Sequence, residues 1–120
     1  VIFIDLDGFK QVNDTFGHEF GDEALVGVAR RIQDAVGDHG FVARFGGDEF
    51  VVLPNPDWDD PLDALTAAVF TEPFTVGPIL LDITGRMGMA EGRPGESGTD
   101  LIARADREMY RAKHRRRRDD

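Results

Sequence analysis

The 120-residue sequence contains no cysteine, which excludes disulfides and thiolate metal sites and is compatible with a cytoplasmic setting. It has no apolar run near the roughly 20 residues that a membrane helix needs, so no membrane contact by this segment is expected. No signal peptide is visible, because the chain opens directly on the strand-like "VIFIDLD". That opening also lacks an initiator Met, so a fragment of a longer protein is expected. Positive charge is scarce over most of the length. Residues 1–103 carry 19 acidic and 6 basic side chains, whereas 104–120 carry 4 acidic and 8 basic ones. Such an acidic body does not suit a protein that coats a nucleic acid polymer. It suits a divalent cation, whose preferred ligands are carboxylate oxygens, and it equally suits a merely soluble surface.

What is present is a set of alternating apolar patterns. Residues 1–5 read as a buried central strand that delivers Asp5 to its C-terminal edge. "GFKQVNDTFGH" has apolar residues at helical spacing and stops at Gly17. "GDEALVGVARRIQDAV" repeats that pattern, with Gly37 as its C-cap. "FVARF" and "EFVVL" flank Gly46-Gly47, a dipeptide suited to a two-residue hairpin turn because both positions accept positive φ. Pro61 opens a short helix. "FTV" and "ILLDITGRMGMA" read as strands, and Thr99 or Asp100 caps a last helix, "DLIARADREMYRAK". This order predicts an α+β domain, an α/β sandwich with a mixed, mostly antiparallel sheet and flanking helices, close to a ferredoxin-like plan.

Asp5 and Asp7 of "DLD" lie two apart on an extended segment and so share a face. Asp48 and Glu49 sit at the hairpin tip. Carboxylates converging from two elements can hold Mg²⁺ against transferring phosphates; taken separately, they are ordinary solvated acids. Gly8, Gly46 and Gly47 would let backbone N–H groups approach phosphates, with Lys10 as a nearby cation, or they simply make turns. Asn13 and Asp22 are either helix caps or a guanine reader, since a carboxylate can accept from guanine N1–H and N2–H₂ together. No Ser-His-Asp or Cys-His arrangement is legible. The "RRRR" run at 115–118 reads as a solvated tail or as a phosphate contact.

"RFGGDEF", "DLDGFKQVNDTFGHEFGDEAL" and "ARADREMYRAK" together resemble the GGDEF domain of diguanylate cyclases, from the first strand to Lys113. The resemblance implies a palm-like nucleotide cyclase fold and condensation of two GTP into cyclic di-GMP with release of two pyrophosphates. It implies Mg²⁺, two per half-site with Mn²⁺ as a possible substitute, held by Asp5, Asp48 and the Leu6 carbonyl. Glu49 would help hold the second metal or assist deprotonation of the 3′-hydroxyl. Asn13 and Asp22 would bind guanine. Gly8, Phe9, Gly46 and Gly47 would present amides to the phosphates, and Lys10, Lys113 and Arg117 would lie at the triphosphate. Because one domain binds one GTP, a transient homodimer is implied. The parent chain would carry sensor or phosphodiesterase domains and could itself be membrane-anchored.

Departures from the family pattern set further expectations. Residues 1–113 would form the domain without its usual first helix and last strand, with 114–120 as a charged tail. Arg86 is expected in a central strand, where the family usually has a small Ser, a conflict unless it reaches solvent or pairs with a carboxylate. The inhibitory "RxxD" maps onto Gly37 and Gly40, so no inhibitory site of that type is expected. The third helix is expected to be short. Arg86 and that short helix motivate an alternative, a weak or inactive GTP-binding regulatory module in tandem with a cyclic di-GMP phosphodiesterase domain.

Overall fold

The computed structural model describes the backbone of residues 1–119 and the side chains of residues 1–111. The opening apolar run forms β1 (Ile2–Leu6). Its side chains alternate between two cores. Ile2, Ile4 and Leu6 pack with the helices that follow, and Phe3 packs on the other face. A strand covered on both faces must be apolar throughout, which is why "VIFI" shows no alternation.

The helix α1 (Phe9–Phe16) is followed after one residue by α2 (His18–Val36), with Gly17 at φ 92° making the break. The buried stripe Ala24, Leu25, Val28, Ile32 and Val36 sets the face of α2. Gly37 ends the helix, its N–H donating to the Gln33 carbonyl. After a 3₁₀ turn (Gly37–His39) come β2 (Gly40–Gly46), β3 (Glu49–Pro54) and a short α3 (Pro61–Val69) with Pro61 in its first turn. The chain then forms β4 (Phe74–Val76), β5 (Ile79–Leu81), β6 (Gly85–Met89) and α4 (Gly98–Asp119).

Four strands form a sheet in the order β2-β3-β1-β6, every pair antiparallel, while β4 and β5 form a separate ribbon. The larger core holds β1 and β3 residues against α1, α2, α3 and the ribbon, and the smaller one sets Phe3 and Val51 against Ala105 and Met109 of α4. Gly88 permits the second contact, because a Cβ there would run into the Met109 nitrogen and the Ala105 carbonyl oxygen. Arg31 ties α2 to the segment after α3. Its guanidinium donates to the carbonyls of Val69 (3.1 Å), Glu72 (2.7 Å) and Pro73 (3.0 Å) and lies 3.6 Å above the Phe74 ring.

Several local expectations are corrected. "ILLDITGRMGMA" is two strands, because the chain changes partners at Thr84, leaving the ribbon to pair β6 with β1. Arg86 therefore lies in an edge strand of the described sheet rather than a central one. Helix α4 is capped by Ser97, whose Oγ accepts from the Asp100 N–H at 3.1 Å, not by Thr99 or Asp100. The β2–β3 turn is centred on Gly47-Asp48, because a bulge between Arg44 and Gly46 shifts the register and pairs Gly46 with Glu49. Neither Gly46 nor Gly47 has positive φ.

Candidate active site

The end of β1 is stitched to its neighbours through the backbone. The Leu6 N–H donates to the Asp48 carbonyl at 3.2 Å, and the Asp7 N–H donates to the Thr84 carbonyl at 2.8 Å. The ladder registers set Asp5 opposite Glu49 on one side and opposite Arg86 on the other. Directly opposed residues share a face, so Glu49, Asp5 and Arg86 form a row across β3, β1 and β6. Two like charges opposed in this way favour a cation between or beside them.

Arg86 meets this need in part. Its Nε lies 3.7 Å from Asp7 Oδ1, an ion pair too long to be a hydrogen bond, and the same Nε is buried with no hydrogen-bond partner. Asp7 also accepts from Thr84 Oγ1 at 3.1 Å. Asp7 is engaged by Thr84 and Arg86, and Asp5 faces Glu49 on one side of the ladder and Arg86 on the other.

At the hairpin tip, Arg44 folds over the turn. Its Nε donates to the Gly46 and Gly47 carbonyls (3.3 and 3.2 Å), and its Nη2 donates to Gly47 at 2.8 Å. A side chain at Gly47 would meet nothing within 4 Å, so the outer side of the turn is open to a ligand. Arg44 is not among the site residues expected from the sequence. Its signal was a cation four residues before Asp48 on the motif's own strand.

The other end of the site is built by α1 and α2. Gly8 takes φ 67°, which turns the chain from β1 into α1. The first intrahelical bond comes from the Gln11 N–H (3.0 Å to the Gly8 carbonyl), so the amides of Phe9 and Lys10 precede the helical ladder at its positive end. The Phe9 side chain is buried in the core, so any ligand contact it makes is through its backbone. Lys10 is exposed. The Asn13 carboxamide rests against Gly21, next to Asp22. Asp22 in turn lines a cleft of about 270 Å³ with Leu25, Val26, Ala29, Arg44 and Phe50. The cleft therefore lies between α2 and the strands β2 and β3. The side chains of Lys113 and Arg117 lie outside the described residues. Gly37 and Gly40 bound the 3₁₀ turn before β2, and a Cβ at Gly40 would stand 2.5 Å from the Leu53 carbonyl oxygen, leaving no room for a side chain there.

The donors at the β1 end are all hard oxygens: the carboxylates of Asp5, Asp48 and Glu49 and the Leu6 carbonyl. Among the described residues no three acidic or histidine side chains form a complete cage. That partial set fits Mg²⁺, which typically takes one or two carboxylates and completes its shell with substrate phosphates and water.

The family described as diguanylate cyclase, GGDEF domain, matches residues 1–119. The chain is 41% identical over 120 residues to the bifunctional diguanylate cyclase/cyclic di-GMP phosphodiesterase MucR of Pseudomonas aeruginosa, covering 94% of this chain and 17% of MucR. It is 39% identical over 125 residues to the probable diguanylate cyclase DgcF of Escherichia coli K12, covering 94% of this chain and 39% of DgcF. Among solved structures, the coiled coil and GGDEF domain of DgcB from Caulobacter crescentus, in complex with c-di-GMP, superposes with a TM-score of 0.80 at 32% identity, over 94% of this chain and 63% of that one. The chain spans between 15% and 65% of the length of the first curated relatives it matches.

Proposed function

The chain belongs to the diguanylate cyclase GGDEF domain family, and from that premise we propose that it condenses two GTP into cyclic di-GMP, releasing two pyrophosphates, as a transient dimer of half-sites. One observation carries this reading. The register pairs Asp5 with Glu49 and the Leu6 N–H donates to the Asp48 carbonyl, so these four residues are neighbours at the end of β1.

In this reading Asp22 accepts from the guanine N1–H and N2–H₂ while Asn13 supplies its carboxamide to the same base edge. The amides of Phe9 and Lys10, the open side of the Gly47 turn and the Lys10 ammonium receive the phosphates. Asp5, Asp48, Glu49 and the Leu6 carbonyl would hold Mg²⁺, two ions per half-site, or Mn²⁺ in its place, which would supply neutralisation of charge on the phosphates. Glu49 takes the proton of the attacking 3′-hydroxyl. A new bond forms from the 3′-oxygen to the partner's α-phosphorus while the bond from that phosphorus to the β-phosphate oxygen breaks. Two domains must face each other for both bonds to form, which makes proximity the main contribution of dimerisation.

The reaction is assigned to the cytoplasm, where GTP is made, and to a longer parent chain bearing sensor or phosphodiesterase domains. No helix among the described residues is long and apolar enough to cross a membrane. Asp48→Ala is expected to abolish turnover with the fold retained, because the Asp48 carbonyl bonded to Leu6 survives the change; undiminished turnover refutes the metal role. A second reading, a GTP-binding regulatory module, is favoured by Arg86, which places a cation beside the carboxylates, and by the short α3. GTP binding without product at high protein concentration would select that reading.

A further inference from the structure

Gly21 sits in the first turns of α2, buried, with no positive φ. Its backbone conformation is therefore one that any residue adopts. A glycine in a helix costs roughly 1 kcal/mol relative to alanine, so its presence needs another reason. The reason is space. A Cβ built on Gly21 would overlap Asn13 Oδ1 and stand 2.9 Å from Asn13 Cγ, and the three nearest atoms all belong to that one carboxamide. The backbone between the two residues is fixed by a relay: the Gly17 N–H donates to the Asn13 carbonyl at 2.8 Å, and the Gly21 N–H donates to the Gly17 carbonyl at 3.1 Å. What can yield to a methyl group is therefore the end of the Asn13 side chain.

We infer that Gly21 is a positioning residue for guanine selection: the space left by its missing side chain is the seat of the Asn13 carboxamide, holding it beside Asp22. This inference rests on the assignment of Asn13 to the guanine edge. In the Gly21→Ala variant the methyl group takes the seat, Asn13 rotates away, and the helix gains an alanine. The variant should thus lose base selectivity without losing stability, a combination that a purely structural role for Gly21 does not produce.

The test compares wild type, Gly21→Ala, Asn13→Ala and the double variant as full 120-residue chains. Three readouts are taken: melting temperature, the Asn13 side-chain amide resonance in the nucleotide-free protein, and calorimetric dissociation constants for GTP and ATP with Mg²⁺. The expected result is a shifted Asn13 resonance in Gly21→Ala, an equal or higher melting temperature, and GTP affinity weakened about three- to tenfold with ATP unaffected, the size of one lost hydrogen bond. Asn13→Ala should match that loss, and the double variant should add nothing to it. If Asn13→Ala loses selectivity while Gly21→Ala keeps both selectivity and the wild-type resonance, the seat is overturned and the guanine assignment stands. Additive losses in the double variant also overturn the seat. If Asn13→Ala keeps full selectivity, the guanine assignment fails and the positioning role fails with it.

Discussion

Replacing Arg31 by Met should destabilise the domain by about 2–4 kcal/mol, and the structure shows where that figure comes from. Met keeps the apolar stem of Arg31 and removes only the guanidinium. Three hydrogen bonds are lost, to the carbonyls of Val69, Glu72 and Pro73, together with the contact over Phe74. Two of the bonds are exposed, so about 0.5–1 kcal/mol each is appropriate, and a cation over an aromatic face adds about 0.5–1 kcal/mol. Against a total stability of about 5–15 kcal/mol this is a large fraction. Arg31→Lys should fall between, because an ammonium is a point donor and cannot span three carbonyls as a planar fork does. Urea unfolding followed by far-UV circular dichroism measures both. With a slope of about 1–2 kcal/mol per molar, the Met variant's midpoint should fall by at least about 1 M at unchanged slope. GTP affinity measured where both proteins are fully folded should not change, since Arg31 touches none of the site residues. A Met variant within about 0.5 kcal/mol of wild type, or a Lys variant equal to it, refutes the reasoning.

Three further outcomes are expected. Gly88→Ala should cost about 1–3 kcal/mol in unfolding free energy, because the methyl group meets backbone of α4 at Ala105 and Met109 and the helix must move off β6; an unchanged midpoint would contradict that packing. The hydrogen bonds from Arg104, foremost, hold the Glu96 carboxyl at about 2, below its ordinary 4.5. A folded pKa below the unfolded one means that stability is complete above about pH 4.5 and drains away as pH falls toward 2, so melting curves of Glu96→Gln should be flatter than wild type across that window. Arg86→Ser removes the cation beside Asp7 and opposite Asp5, and should tighten Mn²⁺ binding, read by electron paramagnetic resonance, about three- to tenfold; weaker binding would show that Arg86 supports the site instead of competing for it.

Much of this architecture was legible in the sequence where a local rule decides it. β1 announced itself as an unbroken apolar run because both its faces are covered, and α2 through a stripe at helical spacing. The misses share one cause, dependence on partners far away in the chain. β5 and β6 look like one strand until the change of partner at Thr84 is known, and strand order alone puts Arg86 at an edge. The hairpin turn moved by one residue because of a bulge that no turn dipeptide encodes. Ser97 was readable as a cap, with Asp100 three residues on, but Thr99 and Asp100 offer capping oxygens of their own within three residues.

For the site, the carboxylates and the Asn13–Asp22 pair stood out through their motifs. Arg44 and Gly21 did not. The first acts by folding back onto its own turn and the second by having no side chain, and neither feature is visible without coordinates.

The most direct test of the central claim is the rate of cyclic di-GMP formation from GTP and Mg²⁺, identified by mass spectrometry across a protein concentration series. A dimer of half-sites predicts a specific rate that rises with protein concentration and vanishes in Asp48→Ala. A folded, GTP-binding sample that forms no cyclic di-GMP at any concentration contradicts it.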